Sequence, residues 1–174
     1  MHRSNLPNPP IPARGQYSNP RPRVTVAAII EQDGRFLLVE EQTSDGLRLN
    51  QPAGHLEAGE SPQQGVAREA LEETGRVFTP TGMVGMYLSR TRRNDAPDNP
   101  DVSYLRLAFF GQVSAADPDR ALDDGIVRTL WMDIQALRAS VSRHRSPLVL
   151  RCAEDFLLGQ RYPLDLVVTD PSVY

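Results

Sequence analysis

The chain has one cysteine among 174 residues, few aromatic side chains, no apolar run of membrane length and no surplus of positive charge. Each shortage excludes something. Cys152 has no intrachain partner, so a disulfide framework is excluded, and with no apolar signal stretch the expected compartment is a reducing cytoplasm. No membrane partner is expected either. A net charge of -3 gives no broad basic surface, which argues against a nucleic acid polymer and leaves small anions held through a metal as candidate partners. Cys152 falls in the apolar pattern of a C-terminal helix, where a buried structural thiol is expected rather than a nucleophile. The length suits one domain with a core of its own.

Proline, by contrast, is plentiful at the N-terminus. Residues 1–21 are rich in proline and asparagine without apolar periodicity, and they read as a flexible arm preceding a single domain over 22–174. Val24 to Ile30 and Phe36 to Val39 are β-branched and apolar, and Gln32-Asp33-Gly34 between them predicts a hairpin turn. Further strands are expected at Met83 to Leu88, Val102 to Val113 and Val127 to Met132. Arg92 to Asp101 is polar and proline-containing and reads as a loop near the substrate. A short helix is expected over Ile134 to Ala139, and Ser146-Pro147 predicts the start of a last helix ending before Gly159. Strands with one helix inserted and another at the end fit an α/β fold, an α/β/α sandwich around a mixed β-sheet.

The inserted helix carries the chemistry. Ser61, Pro62 and Gln64 supply a hydroxyl cap, a first-turn proline and an amide at the third position, and Gly75 supplies the stop. On a helix from Pro62 to Thr74, residues three and four apart share a face, so Glu69, Glu72 and Glu73 crowd together with Arg68 beside Glu72. Val66, Ala67, Ala70, Leu71 and Thr74 fall on the other side, which predicts a core face and a carboxylate face. Clustered carboxylates repel one another unless solvated or neutralised, and their hard oxygens suit Mg2+, with Mn2+ as a substitute. An isolated R-E-x-x-E-E is usually a solvated helix face. Here the glycine loop from Gly54, Glu60 and the cap accompany it at fixed spacing.

That full pattern, G-x5-E-x7-R-E-x-x-E-E-x-G from Gly54 to Gly75, resembles the signature of the Nudix family, and it implies the Nudix fold. Arg76 stands where the signature usually has an aliphatic residue, and Ala70 is smaller than usual; both touch packing more than ligands. The runs Asn50-Gln51-Pro52-Ala53-Gly54-His55, Arg145-Ser146-Pro147 and Gly159-Gln160-Arg161-Tyr162-Pro163 resemble a bacterial phosphatase branch of that family. Its members are Mg2+-dependent and release phosphate from hydroxymethylpyrimidine diphosphate and from nucleoside di- and triphosphates.

The resemblance implies that Glu69, Glu72, Glu73 and the carbonyl of Gly54 hold metal, that Arg68 orients the carboxylates and that Glu69 activates water. Glu60 reads equally as a ligand or as an acid favoured by the helix dipole. Asp124, with Asp123, precedes the Trp131 strand where the family often adds a carboxylate, although Asp124-Gly125 also reads as a turn. Strand alternation puts Tyr104 and Arg106 on one face, as a ring stack and a phosphate clamp or as solvent-facing groups. Asn50, Gln51 and His55 flank the signature and are candidates for reading a pyrimidine edge. A nucleoside diphosphate-X pyrophosphatase of the ADP-ribose type and a non-catalytic nucleotide sensor are the alternatives. A pure binder has no need of a self-repelling triad.

Overall fold

The computed structural model describes residues 21–91 and 102–174. The arm expected over residues 1–21, apart from Arg21, and the whole of the loop expected from Arg92 to Asp101 lie outside the described residues. In chain order the strands are β1 (Arg23–Ile29), β2 (Glu31–Gln32), β3 (Arg35–Thr43), β4 (Gly46–Asn50), β5 (Ala53–His55), β6 (Phe78–Thr91), β7 (Val102–Val113) and β8 (Ile126–Asp133). The helices are α1 (Pro62–Thr74), α2 (Ile134–Ala139) and α3 (Leu148–Leu157).

The β2–β3 turn forms where the Asp-Gly dipeptide predicts it. Asp33 and Gly34 both have positive φ, 50° and 76°, as a two-residue turn matching strand twist demands. Strands β5, β1, β7 and β6 make a mixed sheet in which β1 and β7 are parallel. A second sheet carries β2, β3 and β4, with β8 on the free side of β3. Two short strands were not expected, because Gly46–Asn50 and Ala53–His55 are too brief and polar to show a period. The strand expected at Met83 to Leu88 is the middle of the longer β6, which register shifts interrupt near Gly82 and Gly85.

Alternation along the mixed sheet divides the core in two. Val26, Ala28, Ile30, Leu107 and Phe109 pack with Val66 and Ala70 of α1, while Ile29 and Ala108 pack with Val149, Cys152 and Ala153 of α3. Neighbours in sequence point to opposite faces, so α1 and α3 cover opposite sides and the expected sandwich is formed. Cys152 is fully buried, and burial pushes its thiol up to about 11, which makes it inert as a nucleophile.

Two helix-level expectations change. Ser146 is not the cap of α3: Pro147 holds that position, and the Ser146 hydroxyl accepts from the Leu148 N–H at 3.3 Å. The acid face of α1 is also less solvated than its pattern implies, since Glu69 and Glu73 are buried. Helical periodicity separates them from the apolar stripe, but β5 and the second sheet form another wall there. Among the described residues no helix is long and apolar enough to cross a membrane.

Candidate active site

Helix α1 begins and ends where its sequence dictates. The Ser61 hydroxyl accepts from the Gln64 N–H at 3.1 Å, and the Gln64 side chain accepts from the Ser61 N–H at 2.8 Å, a reciprocal capping box. Gly75 closes the helix at φ 64°, a left-handed conformation that suits glycine. The ends fixed in this way hold Arg68, Glu69, Glu72 and Glu73 in register against β5.

Arg68 organises the face. Its Nε and Nη2 grip the two oxygens of Glu60 at 3.0 and 2.8 Å, its Nη1 donates to Glu69 at 2.8 Å and Glu72 at 2.9 Å, and Nη2 also donates to the His55 carbonyl at 3.1 Å. All five guanidinium donors are engaged. Glu60 accepts the Glu57 N–H as well, and the Arg68 bonds lower its pKa. Its oxygens are directed at Arg68 and the loop backbone.

Glu69 lies against Gly54 so closely that a methyl group there would sit 2.1 Å from its Oε1. Burial raises the Glu69 pKa, and Arg68 opposes the shift. Glu73 accepts the Ala53 N–H at 2.9 Å. Burial pushes its carboxyl up to about 8 against that bond, and the charges of Glu69, Glu41 and Asp123 add to the rise. Glu72 is half-buried and receives the Asp123 N–H on its backbone carbonyl at 3.0 Å.

Among the described residues no three acid, imidazole or thiol groups stand as a ready ligand cluster, since Arg68 draws Glu60, Glu69 and Glu72 to itself. The donor chemistry nevertheless fits a divalent ion. Glu69, Glu72 and Glu73 offer hard oxygens, and the crowded, desolvated charge on Glu69 and Glu73 is the kind a cation relieves.

The other predicted residues sort into separate groups. Asp124 is exposed and begins the turn at Gly125, whose φ is 90°, while the charge felt by Glu69 and Glu73 is that of Asp123. His55 and Tyr104 meet with ring centroids 6.2 Å apart. Arg106 is buried rather than solvent-facing, and donates to Gln51 Oε1 at 3.2 Å and Asn50 Oδ1 at 3.4 Å. Gln51 is 2% exposed, and its amide nitrogen donates to the Val149 carbonyl at 2.6 Å. Both ends of Gln51 are therefore committed within the protein.

Sequence reasoning missed Glu41. It continues the face of Leu37 and Val39 on β3, and alternation from those two buried residues is the signal that marks it as inward-facing. Its neighbour Glu40 points the other way. That carboxylate is buried between Arg128 and Arg143, whose bonds hold its pKa low.

Comparison with known proteins settles the lineage. The NUDIX domain model matches residues 19–162, well over half of the chain. The chain belongs to the Nudix hydrolase family. Nudix hydrolases cleave acid anhydrides in phosphorus-containing compounds. The chain is 35% identical over 147 residues to phosphatase NudJ of Escherichia coli K12, covering 84% of this chain and 91% of that protein. A Nudix hydrolase structure from Nitrosomonas europaea is 50% identical with a TM-score of 0.80, covering 86% of this chain and 98% of that one. A MutT Nudix hydrolase from Burkholderia pseudomallei shares the fold at 19% identity and TM-score 0.62, over 78% of this chain and 98% of that one.

Proposed function

We propose that the chain is a Mg2+-dependent phosphatase acting in the cytoplasm on small phosphoanhydrides, either nucleoside di- and triphosphates or hydroxymethylpyrimidine diphosphate, with release of orthophosphate. The observation carrying this reading is the pair of buried carboxylates, Glu69 and Glu73, set against the Gly54 and Ala53 backbone. Likeness to NudJ supports the substrate class and the bond cut. A single catalytic domain from residue 22 onward is part of the same reading.

In this mechanism Glu69, Glu72, Glu73 and the Gly54 carbonyl hold the divalent ion, Mg2+ or its substitute Mn2+. When bound, the ion supplies charge neutralisation at the phosphate oxygens and acidifies water beside the phosphorus. Glu69 takes the proton of the attacking water on a carboxylate oxygen. Burial raises its pKa above that of a free carboxylate, which strengthens it as a proton acceptor. Arg68 fixes the Glu69 and Glu72 carboxylates through Nη1 and ties them to the loop through Glu60 and the His55 carbonyl, so that proton transfer starts from a set geometry. Tyr104, beside His55, stacks on the ring of the substrate. Asp123 is favoured over Asp124 as an added carboxylate.

The test is purified protein with Mg2+ against nucleotides, hydroxymethylpyrimidine diphosphate and ADP-ribose, with orthophosphate and pyrophosphate measured separately. Orthophosphate as the main product is expected. Cleavage of ADP-ribose into two phosphorylated fragments, with no orthophosphate from the other substrates, sinks the reading.

A further inference from the structure

The wall facing the acid helix carries a guanidinium that the fold leaves half free. The Arg145 N–H donates to the Leu49 carbonyl at 2.8 Å, and His144 forms a bridge with Leu49, so the backbone of Arg145 is fastened to the outer edge of β4. Its side chain is 48% exposed. Nε lies 3.5 Å from Glu41 Oε1, an oxygen that accepts no hydrogen bond, and among the described residues the two Nη nitrogens have no hydrogen-bond partner. Glu41 shares its face of β3 with Leu37, which packs with Val66 and Ala70 of α1, and the Glu41 charge is felt at Glu73. The Arg145 guanidinium therefore borders the carboxylate cluster from the solvent side.

A diphosphate brings more negative charge than one divalent ion cancels, and its remaining oxygens call for cationic donors. Three other arginines border this wall or the acid helix, and each is already engaged. All five Arg68 donors go to Glu60, Glu69, Glu72 and the His55 carbonyl. Arg106 is buried, with its Nη groups on Gln51 and Asn50, so it is not the phosphate clamp that strand alternation suggests. Arg48, opposite Glu41 on β4, donates from Nη1 to the Leu47 carbonyl. Of the four, Arg145 keeps both Nη nitrogens free, and that planar pair is the fork that matches two oxygens of a phosphate.

We propose that Arg145 is the phosphate-binding residue of this site: its two Nη groups hold oxygens of the substrate's diphosphate while Glu41 fixes the guanidinium through Nε. This inference rests on the reading of the chain as a phosphoanhydride hydrolase. An ion pair with so exposed a partner adds little to stability, and no protein contact has to break when the phosphate arrives. Glu41 acts through Arg145 and is a positioning residue. A lysine at 145 places a point charge there but cannot form the fork.

The experiment is calorimetric binding of methylenediphosphonate, a carbon-bridged diphosphate that resists hydrolysis, to the full chain with Mg2+, alongside phosphate release from ADP and hydroxymethylpyrimidine diphosphate. Arg145→Gln is expected to weaken binding about tenfold or more, the size of a lost charge-assisted contact. Arg145→Lys keeps the charge without the fork, is expected to fall between, and serves where Arg145→Gln fails to fold. Arg48→Gln removes the same charge from β4 and is expected to change affinity much less. In a Glu41→Gln background Arg145 has no charge to neutralise, and Arg145→Gln is expected to cost as much there as in the wild type. No binding by the wild type, or an affinity that the folded Arg145 variants leave unmoved, overturns the proposal. So does an equal loss in Arg48→Gln, or a loss that vanishes in the Glu41→Gln background. An affinity that depends on Arg145, without phosphate release from either substrate, sinks the hydrolase reading and leaves the phosphate contact standing.

Discussion

A methyl group at position 54 would occupy the space of the Glu69 carboxylate, 2.1 Å from Oε1, and the side chain can swing away more cheaply than the backbone can move. Gly54→Ala is therefore expected to keep its thermal midpoint and to lose about a hundredfold in kcat, the usual cost of an ångström-scale misplacement. A parallel fall in melting temperature and turnover would point to a folding role for Gly54. Glu73→Gln keeps an acceptor for the Ala53 N–H and removes a charge that Glu69, Glu41 and Asp123 repel. It is expected to abolish most turnover without lowering stability, and near-normal rates at saturating Mg2+ would count against Glu73 as a ligand. Glu69→Gln should reduce the single-turnover rate by at least about a hundredfold if Glu69 is the base. The acid residues themselves were legible from their spacing. Their burial was not, because it comes from β5, too short to show a strand period, and from the second sheet, whose strands lie outside the Gly54–Gly75 pattern.

Helix α1 was readable to its last residue, since its cap, first-turn proline and stop are local signals that tertiary contacts do not override. Ser61→Ala removes the hydroxyl half of the capping box and is expected to cost about 1 kcal/mol in urea unfolding. Gly75→Ala is expected to cost a similar amount, about 1 kcal/mol, because an L side chain is disfavoured at φ 64°. Unchanged midpoints in both variants would mean that packing alone sets the ends of the helix. The strands were legible only in part. β1, β3 and β7 announce themselves by apolar runs, whereas β4 and β5 exist because β3 and β1 offer them hydrogen-bonding edges. Asn50 and Arg106 meet through that pairing, a contact that no spacing in the sequence encodes.

The stability of the whole molecule should depend on pH through His144, which joins the C-terminal part to β4 by a bridge with Leu49. Ser140 Oγ donates to the Leu137 carbonyl and so receives the Nε2–H of His144, leaving Nδ1 buried without a partner. Burial lowers the pKa of this imidazole from 6.5, and Arg143 lowers it further. The unfolded chain then binds the proton more readily than the folded one, so the contribution of His144 is complete above about pH 6.5 and is lost as pH falls below it. Denaturant midpoints from pH 8 to 5, compared with His144→Gln, isolate this dependence. A variant with the same acid slope as the wild type would exclude His144 as its source.

The parallel union of β1 and β7 also dictates a timetable. Arg23 pairs beside Tyr104 and Ile29 beside Phe110, so the central ladder joins segments about eighty residues apart. The acid helix leaves the ribosome well before β7, and at that moment the sheet that buries Val66 and Ala70 is incomplete. Contacts of such long range must wait for a large loop to close. Refolding is accordingly expected in milliseconds to seconds, with α1 acquiring its protection from hydrogen exchange only when β7 docks.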